Sequence, residues 1–185
     1  ALMAVPRHRF VSDERQEWAY ANIPLPIGRG QTISQPFIVA LMTGLLLPDP
    51  AATVLEIGTG SGYQAAVLAG LVRQVYSIER IPELARTAAQ RLRDMNIDNV
   101  AIRVGDGGQG WKEHAPFDGI MVTAAAPNIP PALVQQLKPG GRLVIPVGEP
   151  GRTQDLQVIH KDGQGAVFSR SVLPVVFVPL IQNPE

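Results

Sequence analysis

The segment VLEIGTGSGY, residues Val54–Tyr63, constrains the fold more than any other part of the chain. An apolar run that contains one acid, Glu56, is followed directly by three glycines that alternate with Thr59 and Ser61. This order is typical of a buried strand that turns tightly into a helix and lets a ligand approach its backbone. The start of that helix adds unpaired N–H groups and a positive dipole end. We therefore expect a ligand site where this strand ends.

Short β-branched runs alternate with helical patterns through the middle of the chain, which predicts a mostly parallel sheet. The predicted strands are Thr53–Ile57, Gln74–Ile78, Asn99–Val104, Phe117–Thr123 and Arg142–Val147. The predicted helices are Tyr63–Val72, Pro82–Met95 and Pro130–Leu137, the last of them ended by a Lys-Pro-Gly-Gly stop. The fold class is therefore α/β, a doubly wound, Rossmann-like sheet.

Both ends of the chain differ from this core. Residues 1–50 predict an N-terminal cap with an irregular stretch, Asn22–Gly30, and a helix, Gln35–Leu47. Residues 151–185 predict antiparallel C-terminal strands, with Leu156–His160, a turn at Lys161–Gly165 and a strand over Val175–Leu180. We expect a single domain over residues 1–185, in which residues 51–150 form the ligand-binding core.

Composition argues against several classes of protein. The 16 basic and 16 acidic residues cancel, so we expect no nucleic-acid or membrane partner. The lack of cysteine excludes disulfides, thiolate metal sites and a cysteine nucleophile. His8, His114 and His160 show no metal-ligand spacing, so no metal is expected. The longest apolar run, Phe37–Leu47, is too short to span a bilayer. Because the lack of cysteine gives no reason for an oxidising compartment, we expect a cytoplasmic protein, and we expect it to be a monomer.

Two acidic residues accompany the glycine loop. Glu79 ends the second predicted strand 21 residues after Gly58, a spacing typical of a carboxylate that binds ribose hydroxyls. Asp106 follows the third strand, where it would contact the adenine end of the same nucleoside. Each feature alone is better explained by packing or solvation, but three at consecutive strand ends favour a nucleoside cofactor. The spacing Gly-Thr-Gly-Ser-Gly differs from G-x-G-x-x-G, so NAD is the weaker alternative.

The glycine loop, with Glu79 and the Gly-Asp pair at Gly105, resembles the first motifs of S-adenosylmethionine-dependent methyltransferases. Six further segments extend over nearly the whole chain: Val5–Val11, Pro24–Met42, Val75–Arg80, Gly105–Trp111, Ala115–Pro130 and Gly140–Gly148. Together they resemble the protein-L-isoaspartate O-methyltransferase family. The sequence GQTISQP, Gly30–Pro36, is far more specific than the glycine loop.

This resemblance implies methyl transfer from S-adenosylmethionine to the free carboxyl of L-isoaspartyl, and some D-aspartyl, residues in damaged proteins and peptides. The ester then closes to a succinimide, which starts repair. The resemblance also implies that Ser34 lies beside the acceptor carboxylate as the catalytic residue. The implied cofactor-binding residues are Thr32, Ile33, Gln35, Gly58, Thr59, Gly60, Ser61, Glu79, Arg80, Asp106 and Gly107. From the residues alone, capping of the helix that follows is an equal alternative for Ser34.

The chain departs from the family pattern at several positions. Val176 stands where the family tail has an arginine, and we expect the loss of that arginine to alter substrate affinity or a local ion pair. Asn22 stands where an aspartate is usual. The family also carries a helical segment ahead of Val5–Val11 that the given sequence does not include, and we expect weaker cofactor binding if that segment covers the cofactor.

Other functions stay open. A nucleic-acid methyltransferase would carry an Asn/Asp-Pro-Pro-aromatic motif or a cysteine, but Thr123–Pro131 contains no aromatic residue and the chain has no cysteine. A base-flipping enzyme would also need a basic track for phosphates. The remaining alternatives are a small-molecule methyltransferase and a nucleoside-binding module without activity.

Overall fold

A seven-stranded sheet forms the centre of the fold. A computed structural model describes residues 1–47 and 49–181 of the chain. Its strands are β1 (Leu25–Gly28), β2 (Gln31–Ile33), β3 (Thr53–Ile57), β4 (Gln74–Glu79), β5 (Val100–Val104), β6 (Phe117–Val122), β7 (Leu137–Val147), β8 (Gln154–Lys161) and β9 (Val167–Val175). Its α-helices are α1 (Pro36–Leu46), α2 (Tyr63–Ala69), α3 (Pro82–Asp94) and α4 (Pro131–Gln135). Short 3-10 helices cover Leu2–Ala4, Arg7–Phe10, Asp13–Trp18, Gly107–Gln109 and Lys112–His114.

The strand order of the sheet is β5-β4-β3-β6-β7-β8-β9. Strands β3 to β7 run parallel, whereas β8 and β9 are antiparallel to their neighbours. The order reverses at β3, since β4 and β5 lie on one side of it and β6 on the other. Open sheets bind ligands at the carboxyl ends of strands beside such a switch point. The predicted doubly wound sheet with antiparallel C-terminal strands is confirmed.

Strand β3 lies between two hydrophobic clusters. Val54 belongs to one cluster together with Met42 of α1 and Leu68 of α2. Leu55 belongs to the other, together with Leu133 of α4. Because adjacent side chains of a strand point to opposite faces, α1 and α2 cover one face of the sheet and α4 covers the other. All five residues of β3 are buried, as expected for a parallel strand covered on both faces.

Helices α1 and α3 are confirmed, and α2 is shorter than predicted. Helix α3 buries Leu84, Ala88 and Leu92, the apolar face that their spacing predicts. Helix α2 ends at Ala69, about one turn early, because the helix-weakening Gly70 follows it. No helix in the described part of the chain is long and apolar enough to cross a membrane.

The predicted Lys-Pro-Gly-Gly stop is wrong. Strand β7 already begins at Leu137 and runs through this segment to Val147. Its pairing with β6 shifts register between Phe117 and Gly119, which accommodates the proline and the glycines. Helix α4 consequently covers only Pro131–Gln135.

The N-terminal cap is more regular than predicted. The stretch Asn22–Gly30 contains β1, which pairs with β2 as an antiparallel hairpin and places Leu25 opposite Ile33. Arg29 and Gly30 turn the hairpin with positive φ angles of 53° and 70°. Turns with two positive φ angles suit hairpins, but an arginine is an uncommon residue there. This is why the hairpin was missed.

The C-terminal tail is not the predicted strand. The β8–β9 hairpin is confirmed, but β9 ends at Val175. The next residues leave the sheet edge, and Ala125, just after β6, donates to the Val178 carbonyl at 2.8 Å. Leu180 donates back to the Ala125 carbonyl at 2.8 Å. Pro179 has no N–H group to donate, and the tail pairs beside the strand ends through an isolated bridge between Ala125 and Pro179.

Candidate functional site

The glycine loop between β3 and α2 lies at the carboxyl end of the sheet. Gly58 and Gly60 have positive φ angles of 95° and 53°, which glycine adopts without steric cost. A Cβ atom on Gly58 would lie 2.6 Å from the Thr123 hydroxyl oxygen, and one on Gly62 would lie 3.2 Å from the Ala88 Cβ. The bare backbone therefore serves the turn and close packing, and the packing explanation holds alongside any role in binding.

Glu79, the last residue of β4, faces the glycine loop. Its Oε2 accepts a hydrogen bond from the Gly60 N–H at 2.7 Å, and its Oε1 accepts one from the Ile81 N–H at 2.9 Å. Each carboxylate oxygen can accept a second hydrogen bond, so Glu79 retains capacity for two hydroxyl groups. The carboxylate is thus held in place by backbone donors, and it can still accept hydrogen bonds from a ligand.

A buried polar chain supports the loop from behind. The hydroxyls of Thr59 and Ser77 hydrogen-bond at 2.6 Å, and Ser77 donates in turn to Glu56 Oε2. Glu56 is fully buried, and this burial raises its pKa to about 8. Such a carboxyl group holds its proton at neutral pH. The sequence analysis did not find this neutral chain; its only signal was an acid within a buried strand.

Thr123, the residue after β6, is a site residue that the sequence analysis missed. Its hydroxyl lies 2.7 Å from the Gly58 carbonyl and 3.0 Å from the Ile57 carbonyl, to which it can donate. Thr123 also lines three cavities that adjoin the glycine loop and the cap, and so does Thr32. Its position directly after a central parallel strand is the signal that could have identified it.

One cavity, which we call the loop cleft, opens beside Gly58, Gly60 and Glu79 with a volume of about 550 Å³. This volume includes space that is open to solvent. The predicted cofactor residues that line it are Thr32, Gly58, Gly60, Glu79, Arg80 and Gly107. The tail contributes Val178, Pro179, Leu180 and Ile181, so the displaced C-terminal segment forms part of the wall.

The other predicted cofactor residues lie around this cleft. A smaller cavity of about 330 Å³ is lined by Ile33, Ser34, Thr59 and Ser61, among others. Asp106 lies next to Gly107, and its Oδ1 accepts from the Gly108 N–H at 2.8 Å, which starts a short 3-10 helix. No group of three or more His, Cys, Asp or Glu side chains within residues 1–47 and 49–181 could hold a metal ion.

A third cavity, the cap cleft, is lined by Ser34, Gln35 and Phe37 of the cap and by residues 173–178 of the C-terminal segment. Its volume is about 930 Å³. None of the described residues that line it carries a charge. Val176 is 75% exposed and Phe37 51% exposed, so the cleft presents an apolar surface to solvent.

Ser34 lines both the cap cleft and the smaller cavity, and its capping alternative is wrong. Gln35 is the N-cap of α1, and no side-chain capping bond forms there. Instead, the Asn22 side-chain oxygen accepts from the Phe37 N–H at 3.0 Å. Asn22 therefore satisfies the first turn of α1, and the Ser34 hydroxyl is not used for this purpose.

The comparisons with known proteins agree with this geometry. The family model for protein-L-isoaspartate(D-aspartate) O-methyltransferase (PCMT) matches residues 1–185. Protein-L-isoaspartate O-methyltransferase 2 of Syntrophobacter fumaroxidans is 63% identical over 179 residues, which cover 97% of this chain and 72% of that protein. Protein-L-isoaspartate O-methyltransferase 1 of Cupriavidus necator is 60% identical over 177 residues, which cover 96% and 68%.

A solved structure extends the likeness to three dimensions. A Plasmodium falciparum protein assigned as a protein-L-isoaspartate O-methyltransferase, crystallised with S-adenosyl-L-homocysteine, superimposes with a TM-score of 0.82. The two chains are 28% identical, and the match covers 98% of this chain and 88% of the other. With a family match over residues 1–185 and relatives that are 63% and 60% identical, this chain belongs to the protein-L-isoaspartate(D-aspartate) O-methyltransferase family.

Proposed function

We propose that this chain transfers a methyl group from S-adenosylmethionine to the free carboxylate of L-isoaspartyl, and some D-aspartyl, residues in damaged proteins. Membership of the family supports the reaction, and the relatives above carry its name. The S-adenosyl-L-homocysteine in the Plasmodium falciparum structure supports the cofactor. The proposed enzyme acts as a cytoplasmic monomer and needs no nucleic acid or membrane.

The proposed cofactor site is the loop cleft. Glu79 would hold the ribose hydroxyls through the acceptor capacity that its two backbone bonds leave. Gly107 lines the same cleft, and the neighbouring Asp106 turn would lie at the adenine end. The remaining predicted residues, Thr32, Ile33, Gln35, Thr59, Ser61 and Arg80, would surround the methionine part and the ribose. When bound, the cofactor supplies a methyl group that its sulfonium already activates.

The shared lining of the two clefts is the observation that carries this proposal. Thr32 and Thr123 line both the loop cleft and the cap cleft, so the two cavities meet at these residues. A methyl donor in the first and a carboxylate in the second would therefore face each other. Ser34, on the cap side of this junction, would donate a hydrogen bond that orients the carboxylate.

The reaction requires little acid–base chemistry from the protein. A carboxyl group with a pKa near about 4 is ionised at neutral pH, so its oxygen is a nucleophile without a general base. That oxygen bonds to the methyl carbon while the carbon–sulfur bond breaks, and the electron pair stays on sulfur. A neutral ester and a neutral thioether result. Alignment of the reactants can lower the activation free energy by roughly 7–11 kcal/mol. We assign this alignment to the junction of the two clefts.

Transfer of labelled methyl groups tests the proposal. The purified chain is incubated with labelled S-adenosylmethionine and a short peptide that contains L-isoaspartate, beside a twin peptide with normal aspartate. We expect base-labile label on the isoaspartyl peptide alone. Calorimetry with S-adenosyl-L-homocysteine is run in parallel.

Cofactor binding without label on either peptide would reject the acceptor and favour a binding module. Label only on small molecules would favour a small-molecule methyltransferase. Label on both peptides would reject the isoaspartyl specificity, since the cap cleft would then not distinguish the two backbones.

A further inference from the structure

Arg7 is a buried cation near the N-terminus. It begins the 3-10 helix Arg7–Phe10, and only 1% of its surface is exposed. No carboxylate within residues 1–47 and 49–181 forms an ion pair with it, and its Nε has no hydrogen-bond partner there. Burial lowers the pKa of its guanidinium. A buried, unpaired charge is costly, so this residue requires an explanation beyond packing.

The partners of Arg7 are backbone carbonyls from three separate segments. Its Nη1 donates to the Ala19 carbonyl, and its Nη2 donates to those of Ile23 at 3.2 Å and Ser34 at 3.0 Å. These carbonyls are 12, 16 and 27 residues away along the chain. The guanidinium carbon also lies 5.8 Å from the centre of the Tyr63 ring, at the start of α2. One planar fork thus joins the N-terminal segment to both ends of the β1–β2 hairpin.

The bond to Ser34 connects this fork to the cap cleft. Ser34 lies between β2 and α1, so its backbone has no ladder or helix partner on the carbonyl side other than Arg7 among the described residues. Its hydroxyl makes no capping bond that would orient it. The orientation of the Ser34 side chain therefore depends on its backbone, and Arg7 fixes the carbonyl of that backbone.

We infer that Arg7 is a positioning residue for the acceptor, which acts by fixing the Ser34 backbone so that its hydroxyl points to the carboxylate. This inference rests on the proposed function. It concerns geometry and not charge alone, since lysine keeps the charge but lacks the planar fork that reaches several carbonyls at once. Lysine should therefore fail to replace arginine here.

A double-mutant cycle with Ser34 tests the inference. The kcat and KM for the isoaspartyl peptide are measured at 15 °C for the wild type, Arg7→Lys, Ser34→Ala and the double variant. We expect Arg7→Lys to lower kcat about 10-fold, while the dissociation constant for S-adenosyl-L-homocysteine changes less than about 2-fold. In the Ser34→Ala background, the same change should lower kcat less than about 3-fold, because the hydroxyl that Arg7 positions is absent.

Two controls separate positioning from loss of stability. Arg9→Lys alters an exposed arginine of the same 3-10 helix and should leave all constants unchanged. Phe10→Leu weakens the packing of that helix on Tyr63, because Phe10 is fully buried against that ring. It should lower the melting temperature with a smaller loss of kcat than Arg7→Lys.

Several outcomes would overturn the inference while leaving the function standing. One is an unchanged kcat in Arg7→Lys, and another is an equal loss in both backgrounds. A third is an Arg7→Lys protein that is unfolded at 15 °C beside a folded Phe10→Leu protein, since Arg7 would then act through stability. A wild type that does not methylate the isoaspartyl peptide would instead refute the proposed function itself.

Discussion

The loop cleft and the cap cleft adjoin each other but are built in different ways. The loop cleft is lined mainly where neighbouring parallel strands end, with parts of its wall from the cap and the C-terminal tail. Its carboxylate is tied to the backbone, as in the 2.7 Å bond between Gly60 and Glu79. The cap cleft brings together two segments from opposite ends of the chain, residues 24–38 and 173–178. Its described lining is uncharged, and its rim is apolar and exposed.

This difference fits the two kinds of ligand that we propose for the clefts. A constant cofactor is best bound by groups that are fixed before it arrives, because ordering on binding costs free energy. A damaged residue occurs in many sequence contexts, so its cleft can specify only the backbone and the carboxylate. Substitutions in the loop cleft should therefore change cofactor affinity, and substitutions in the cap cleft should change the kinetics of the acceptor.

Of the variants considered, Glu79→Ala should produce the largest effect. This effect should appear in cofactor affinity alone. The variant loses two hydrogen-bond acceptors for the ribose, and hydrogen bonds to a charged group contribute about 1.5–3 kcal/mol each. We expect the dissociation constant for S-adenosyl-L-homocysteine to rise at least about 100-fold by calorimetry. Glu83→Ala removes an exposed glutamate that pairs with Arg29 on the surface and should leave affinity unchanged. A change below about 5-fold in Glu79→Ala would contradict the assignment.

Glu56→Gln should remove a pH dependence of the free energy of unfolding. Glu56 lies in the polar chain behind the glycine loop, so this prediction concerns the cofactor side. In the folded state the pKa of Glu56 is about 8, against an ordinary value of 4.5, so the folded chain holds a proton that the unfolded chain releases. This contribution is constant below about pH 4.5, and stability falls by about 1.4 kcal/mol per pH unit as pH rises toward 8. Glutamine resembles the protonated carboxyl group and does not titrate.

Urea unfolding at several pH values measures this difference. The free energy of unfolding of Glu56→Gln, relative to the wild type, should increase from pH 5 to pH 8 and level off above that. Glu113→Gln, on an exposed 3-10 helix, serves as the matched control and should show no such rise. Parallel pH curves for the wild type and Glu56→Gln would show that Glu56 is ionised in the folded protein.

The cofactor side was largely predictable from sequence because its signals are local. The predicted bounds of β3 match the observed Thr53–Ile57, since a buried apolar run ended by glycines leaves little choice. Glu79 followed from its spacing to Gly58, because successive parallel strands bring their carboxyl ends together. The glycine loop and this acid required no knowledge of distant contacts.

The acceptor side was predictable only through family resemblance, because its geometry depends on contacts between distant segments. Nothing in the local sequence shows that residues 173–178 line a cleft together with Ser34 and Phe37 of the cap. The hydrogen bonds of Arg7 span 12 to 27 residues and end on carbonyls, which no residue pattern marks. Thr123 is different, because it lines both cavities and its position directly after a central parallel strand was a local signal that could have identified it.

Ser34→Ala should distinguish the roles of the two clefts, because it should change the kinetics of the acceptor and leave cofactor affinity unchanged. The variant loses one hydrogen bond to a charged carboxylate, so kcat for the isoaspartyl peptide should fall about 10- to 100-fold. The dissociation constant for S-adenosyl-L-homocysteine should change less than about 2-fold, because the ribose contacts are unaffected. Ser169→Ala, an exposed serine of β9, is the control. If Ser34→Ala loses cofactor binding and turnover together, Ser34 belongs to the cofactor site instead.

Val176→Arg should produce the smallest effect, a change in the KM of the acceptor. It is also the sharpest test of the difference between the loop cleft and the cap cleft. Val176 lies at the exposed rim of the cap cleft, where the family pattern has an arginine and the described lining has no charge. An exposed charge pair contributes about 0.2–1 kcal/mol, so the KM for the isoaspartyl peptide should fall by roughly 1.4- to 5-fold. Neither kcat nor cofactor affinity should change.

Salt distinguishes this attraction from a change of shape. Because the added charge is exposed, the decrease in KM should largely disappear between about 0.02 M and 0.5 M salt. Val167→Arg places the same charge on an exposed part of β9 outside the cap cleft and should leave KM unchanged. An equal gain in that control would mean that net charge, and not the rim of the cap cleft, attracts the acceptor. A gain in Val176→Arg alone would mean that the natural valine leaves acceptor recognition to the backbone and to Ser34.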